Sequence, residues 1–117
     1  MIIIKIMTGN EYQTNVLGFD LKYPEGLGPF CTLLRMMEKI GMMSSTMVDI
    51  LNKPDASITN KERDILRNEL GEILMYLTRT IYHSGLTLDE VMQYNVDKQN
   101  NRQEYESIIN RDMFKRR

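Results

Sequence analysis

The sequence has little cysteine, no excess of charge of either sign and no long apolar run. Its one cysteine, Cys31, excludes a disulfide within the chain and lies far from any histidine that could complete a metal motif, so we expect a buried structural thiol. The apolar opening, residues 1–7, is shorter than a membrane span or the apolar part of a secretory signal. These absences favour a soluble protein of the cytoplasm that binds no membrane.

The charge is nearly balanced, with 15 basic and 16 acidic residues and a formal net charge of −1. A nucleic-acid platform would show a basic face or stripe, and the basic residues 115–117 are too few to form one. We therefore expect no nucleic-acid partner. A chain of 117 residues predicts a single domain, 1–117.

Two long segments, from about residue 30 to 52 and from about 59 to 84, carry apolar residues at helical spacing. We expect these stripes to form the core, together with Met36 and Met43, and expect Gly41 and Ser44 to let helices approach closely. The stripes consist of Leu33, Leu34, Met37, Ile40, Met47, Val48 and Leu51 in the first segment and Leu66, Leu70, Ile73, Leu74, Leu77 and Ile81 in the second.

Capping patterns place the helix starts. Ser or Thr followed three residues later by Glu occurs at 8–11, 59–62 and 87–90, and Gly85 suits a left-handed helix end. Residues 100–102 suggest a break before a helical tail that docks as a fifth helix or swaps onto a partner. The resulting prediction is an all-α antiparallel helical bundle, with an extended arm at 1–7, a bundle core at 8–102 and a C-terminal tail at 103–117.

Glu69 and Glu72 lie one turn apart beside the second stripe, so both carboxylates can aim at one divalent cation. The other interpretation is a solvated helix flank. The first long segment repeats the pattern without the acids, because Lys39 and Met42 occupy the equivalent positions. Glu38 remains nearby, and Asp49 follows on the same helical face.

Three strings carry a resemblance to a known family: residues 69–72 (ELGE), residues 84–91 (SGLTLDEV), and Asn95 with Lys98 and Arg102 at spacings of three and four. With them the chain resembles the MazG-like all-α nucleoside triphosphate pyrophosphohydrolases over roughly residues 8–102. The resemblance implies a helical bundle, a Mg²⁺ cofactor, a nucleotide ligand and assembly as a homodimer or larger. It is also similar to small family members found in phages.

The resemblance assigns roles residue by residue. It implies that Glu69, Glu72 and Glu38 act in catalysis and hold the metal. It also implies nucleotide binding by Asn95, Lys98, Arg102 and Lys39. The family's first acidic motif is altered here, since Lys39 and Met42 stand where it has glutamates.

Three functions follow as hypotheses. The first is a catalytically impaired relative that binds a nucleotide or a partner protein. The second is an active Mg²⁺-dependent enzyme that converts nucleoside triphosphates to monophosphates and pyrophosphate, with Glu38 or Asp49 compensating for the altered motif. The third is a purely structural bundle that binds another protein.

Overall fold

The computed structural model describes residues 6–19 and 21–115, with side chains described as far as residue 111. Four helices account for most of this part of the chain, and no strand occurs within it. None of these helices combines the length and apolar character needed to cross a membrane. Residues 1–5 of the predicted arm lie outside the described residues, and residues 6–8 lead into the first helix without regular structure. The helices are α1 (Gly9–Leu17), α2 (Gly28–Leu51), α3 (Asn60–His83) and α4 (Leu88–Lys115).

The predicted helix boundaries are confirmed where a cap defines them. Thr59 and Glu62 form a reciprocal capping box at the start of α3. Thr8 accepts a hydrogen bond from the amide of Glu11 at 3.1 Å, which caps α1. Gly85 follows the end of α3 with φ +76°, in the left-handed region that favours glycine.

The main packing unit is the antiparallel hairpin of α2 and α3. Near the connecting loop Lys53 pairs with Glu62, and farther along Lys39 pairs with Glu72. At the far end Gly28 of α2 lies against the ring of His83. Because the residue numbers run in opposite directions along the hairpin, α2 and α3 contact each other over their full length.

Polar contacts attach α1 to the far end of this hairpin. The Gln13 amide donates to the carbonyl of Leu86 at 3.2 Å and accepts from the amide N–H of Leu88 at 2.7 Å. Asn10 accepts from the amide N–H of Asp89 at 3.1 Å. Side chains of α1 therefore satisfy free N–H groups at the start of α4 and fix its direction.

The predicted break at residues 100–102 is wrong, because α4 continues through it as one helix of 28 residues. Relative to alanine, asparagine disfavours a helix by only about 0.7 kcal/mol. This stretch contains neither glycine nor proline. The tail at 103–115 therefore extends α4 instead of forming a fifth helix. Every described side chain from 96 to 111 is exposed.

The core is smaller and more polar than the stripes predict. Within the hairpin α2 turns Thr32 and Ile50 inward, while Met37 and Met47 of the predicted core are 59% and 40% exposed. Met36 and Met43 are half-buried, as is Cys31, which we expected to be buried. The prediction for Gly41 is also wrong, because a Cβ there would meet nothing within 4 Å. Periodicity identified the apolar stripe on α2 correctly, but it predicted the wrong side of that helix to contact α3.

Candidate functional site

The predicted metal site is crossed by an ion pair between α2 and α3. The Lys39 ammonium lies 2.9 Å from a carboxylate oxygen of Glu72, and both side chains are half-buried. Acceptance of this hydrogen bond by Glu72 raises the pKa of Lys39 above its usual 10.5. A fixed cation of the protein itself therefore neutralises Glu72.

Glu69 lies one turn before Glu72 on α3 and is only 7% exposed. Its Oε2 atom is buried without a hydrogen-bond partner. A buried carboxylate oxygen without a partner carries an energetic penalty that a donor or cation would relieve. The two glutamates thus have different environments, since one is paired and the other is not satisfied.

The third predicted ligand, Glu38, points elsewhere. Its carboxylate is exposed and lies 3.8 Å from the guanidinium of Arg35 on the same helix. Asp49, the other acid considered as a compensating ligand, is also exposed. Nowhere in the described part of the chain do three histidine, cysteine or acidic side chains converge into a group that could hold a metal ion.

Mg²⁺ therefore fits this arrangement poorly. The ion prefers an octahedral set of oxygen ligands and usually binds through one or two carboxylates plus substrate phosphates. Here Glu72 would first have to release Lys39, which lies 2.9 Å away. The geometry within one chain suits an internal cation better than a metal ion.

The residues expected to contact nucleotide lie on α4, apart from the acidic pair. Asn95 lines an apolar groove that also contains Leu74 and Leu77 but neither glutamate. Lys98 is exposed, and Arg102 pairs with Glu106 at 3.3 Å along the same helix. A single chain thus brings Lys39 and Glu72 together but does not gather Asn95, Lys98 and Arg102 around them.

The groove itself, with a volume of about 670 Å³ between α1, α3 and α4, was not predicted from the sequence. Burial raises the pKa of Tyr12 in its wall. Gly9 permits the close approach of α1 and α4 here, since a Cβ at this position would lie 2.4 Å from the Asp89 carboxylate. A glycine beside a capping threonine was the one available signal. The groove is lined by Met7, Thr8, Gly9, Tyr12, Leu74, Leu77, Ile81, Leu88, Val91, Met92 and Asn95.

A second feature is a broad exposed apolar surface, here named the hairpin face. Its side chains are between 40% and 69% exposed. By the register of the Lys39–Glu72 pair, Leu33 of α2 is level with Leu77 of α3, and Ile40 is level with Leu70. At about 100° per residue, all four lie at least about 100° around their helices from Lys39 or Glu72. The hairpin face consists of Leu33, Leu34, Met37, Ile40, Met47, Val48 and Leu51 of α2 and Leu70, Leu74 and Leu77 of α3.

Contiguous apolar patches of this kind mark interaction sites in soluble proteins. Because Leu74 and Leu77 belong both to the hairpin face and to the groove, the two surfaces are continuous. In comparisons with known proteins, no family model, no curated protein and no solved structure matches the chain.

Proposed function

We propose that this chain is a catalytically impaired MazG-like helical protein that assembles as a homodimer or larger and acts by binding a nucleotide or a protein partner. The observation that carries the proposal is the Lys39 ammonium 2.9 Å from Glu72. In a pyrophosphohydrolase of this kind the acids hold Mg²⁺, which neutralises phosphate oxygens and helps position the attacking water. Here Lys39 forms an ion pair with one of those acids.

The other surfaces support binding as the function. The hairpin face is broad and apolar, which suits association with protein. The exposed Lys98 on α4 suits contact with phosphate oxygens as a point charge, in agreement with the resemblance. Neither feature requires hydrolysis.

The test is pyrophosphate release from a panel of nucleoside triphosphates with Mg²⁺ or Mn²⁺. We expect no release above background from the natural protein, and no change in the Glu69→Ala, Glu72→Ala double variant. The Lys39→Glu, Met42→Glu variant restores both acids, and a large gain in turnover there would show that the substitutions broke an otherwise competent site. Asp64→Ala, an exposed acid on the same helix, is the matched control.

Glu69 supports a second candidate, the active Mg²⁺-dependent enzyme. Its buried Oε2 atom lacks a partner, which is the state of an oxygen that a cation would satisfy. Turnover by the natural protein that the Glu69→Ala, Glu72→Ala variant abolishes would establish this alternative and overturn the impaired-enzyme proposal. If there is neither turnover nor a rise in melting temperature with any nucleotide, the chain is a purely structural interaction bundle.

A further inference from the structure

The isolated chain exposes far more surface than a compact protein of its mass. Its accessible surface is 9621 Å², whereas a folded monomer of 13.8 kDa exposes about 6,600 Å². Its radius of gyration is 19.4 Å, against about 13 Å for a compact domain of this length. The excess of about 3,000 Å² per chain, or about 6,000 Å² for two chains, exceeds the roughly 2,000–5,000 Å² that an obligate dimer buries in total.

Two exposed apolar surfaces have no partner among the described residues. One is the hairpin face. The other lies on the projecting part of α4, residues 96–111, here named the α4 arm, where Tyr105 and Ile108 are 66% and 50% exposed and Ile109 is 38% exposed. Ile109 follows Val91 by 18 residues, or five helical turns, so the apolar side of the arm points the same way as the groove. The arm and the hairpin face are thus two separate apolar surfaces that the described part of the chain leaves exposed.

We propose that a second copy of this chain covers both surfaces, with the α4 arm of each copy packed against the hairpin face of the other. The inference rests on the proposed self-association and adds which surfaces meet. Reciprocal exchange gives a closed two-fold dimer in which each apolar surface has one partner.

The lengths of the two surfaces agree. The arm has 16 residues, which at about 1.5 Å per residue span about 24 Å. The stripe on α2 runs from Leu33 to Leu51 and spans about 27 Å. One helix therefore covers nearly the whole stripe without bending.

Pairing of the arms with each other is less favourable. A coiled coil needs apolar residues every three or four positions over several heptads. On the apolar side of α4, the polar residues Lys98 and Asn101 interrupt the row of apolar residues between Tyr94 and Tyr105. The short apolar cluster at the end of the arm instead needs a wide apolar surface, which the hairpin face provides.

The experiment is disulfide trapping between two differently tagged single-cysteine proteins in a Cys31→Ser background. One carries Tyr105→Cys and the other carries Met37→Cys or Val48→Cys. We expect a mixed disulfide dimer on mild oxidation. Ser107→Cys, on the other side of the arm, is the matched control and should trap far less.

Charge variants test the same contact without a new thiol. Ile108→Lys and Val48→Lys should each raise the dimer dissociation constant by about tenfold or more in sedimentation equilibrium, because each buries an unpaired charge. Ser107→Lys and Ser45→Lys should not. The circular dichroism of each variant checks that the helices are retained.

The outcomes separate this contact from the proposed function. A monomeric natural protein at high concentration overturns both the self-association and the contact. A dimer that traps Met37→Cys to Met37→Cys, but never Tyr105→Cys to the hairpin face, overturns the contact and leaves the proposed function intact. A further protein carries both Tyr105→Cys and Met37→Cys on one chain. If it forms a disulfide within the chain while the single-cysteine proteins do not cross-link, the arm closes on its own hairpin, and the contact is overturned.

Discussion

Arg79 holds the carboxyl end of α1. Arg79 is 9% exposed, and its guanidinium donates to the main-chain oxygens of Val16 at 3.0 Å and Phe19 at 2.6 Å. A cation at this position adds a charged donor to two carbonyls that already accept from the amides of Phe19 and Leu21, and it opposes the negative end of the helix dipole. Arg79→Met should therefore lower the free energy of unfolding by about 2 kcal/mol, since charge-assisted hydrogen bonds to buried carbonyls are lost. Urea denaturation followed by circular dichroism measures the change.

Arg67 is the matched control on the same helix. It pairs with Asp64 at 2.7 Å, but both side chains are about 70% exposed. An exposed pair of this kind contributes roughly 0.5 kcal/mol or less. If Arg67→Met and Arg79→Met lose equal stability, the guanidinium cap on α1 contributes little.

The role of Arg79 was not predictable from local sequence, because its two partners lie 63 and 60 residues away. The same holds for Lys39 and Glu72, whose pairing depends on the register of two helices. Sequence spacing identified Glu69 and Glu72 as neighbours on one turn of a helix. It could not show that a lysine from another helix would neutralise one of them.

At the scale of elements, the α2–α3 hairpin should be sensitive to acid at its loop end. Lys53, together with the backbone N–H of Thr59, lowers the pKa of Glu62 from 4.5 to about 2. Because this pKa is lower in the folded protein, the stabilisation is fully present above pH 4.5 and is lost as the pH falls toward 2. We expect the melting temperature to fall through this window.

Glu62→Gln isolates that contribution, because the amide cannot ionise. The variant should melt at a lower temperature than the natural protein at pH 7, and the difference should shrink as the pH approaches 2. Glu25→Gln, at an exposed loop position, is the control. A difference that is the same at every pH would mean that the pair of Lys53 and Glu62 does not stabilise the hairpin electrostatically.

Elements were predictable where a local signal defines them. The capping threonines Thr8 and Thr59 and the glycine at 85 act within a few residues, so their predicted boundaries are confirmed. The break expected at Asn100 and Asn101 depended only on the low helix propensity of asparagine, which is a weak effect. The preceding helix therefore continued through both residues.

For the whole molecule, the large exposed surface predicts that stability depends on protein concentration. If folding and association are coupled, a tenfold increase in concentration should raise the melting temperature by about 3 °C for a dimer of this size. Scanning calorimetry over two decades of concentration measures the slope. A melting temperature independent of concentration would indicate that the isolated chain is the stable form.

The same surface explains why the predicted core differs from the observed one. An apolar stripe at helical spacing shows that a helix buries one side, but it does not identify the partner that covers it. Leu34 and Leu51 were expected inside and are 63% and 69% exposed in the single chain. The apolar spacing located the two long helices α2 and α3 but did not show whether their contacts lie within one chain or between copies.

The double hydrogen bond of Gln13 restricts which residues can replace it. Its side chain donates to Leu86 and accepts from Leu88 through one planar amide. Glutamate would offer acceptors alone, lysine would offer donors alone, and asparagine carries the same amide on a shorter stem. A change at Gln13 alone therefore leaves at least one main-chain group of the turn from α3 to α4 without its side-chain partner, so a compensating change in that turn is needed to keep the direction of α4.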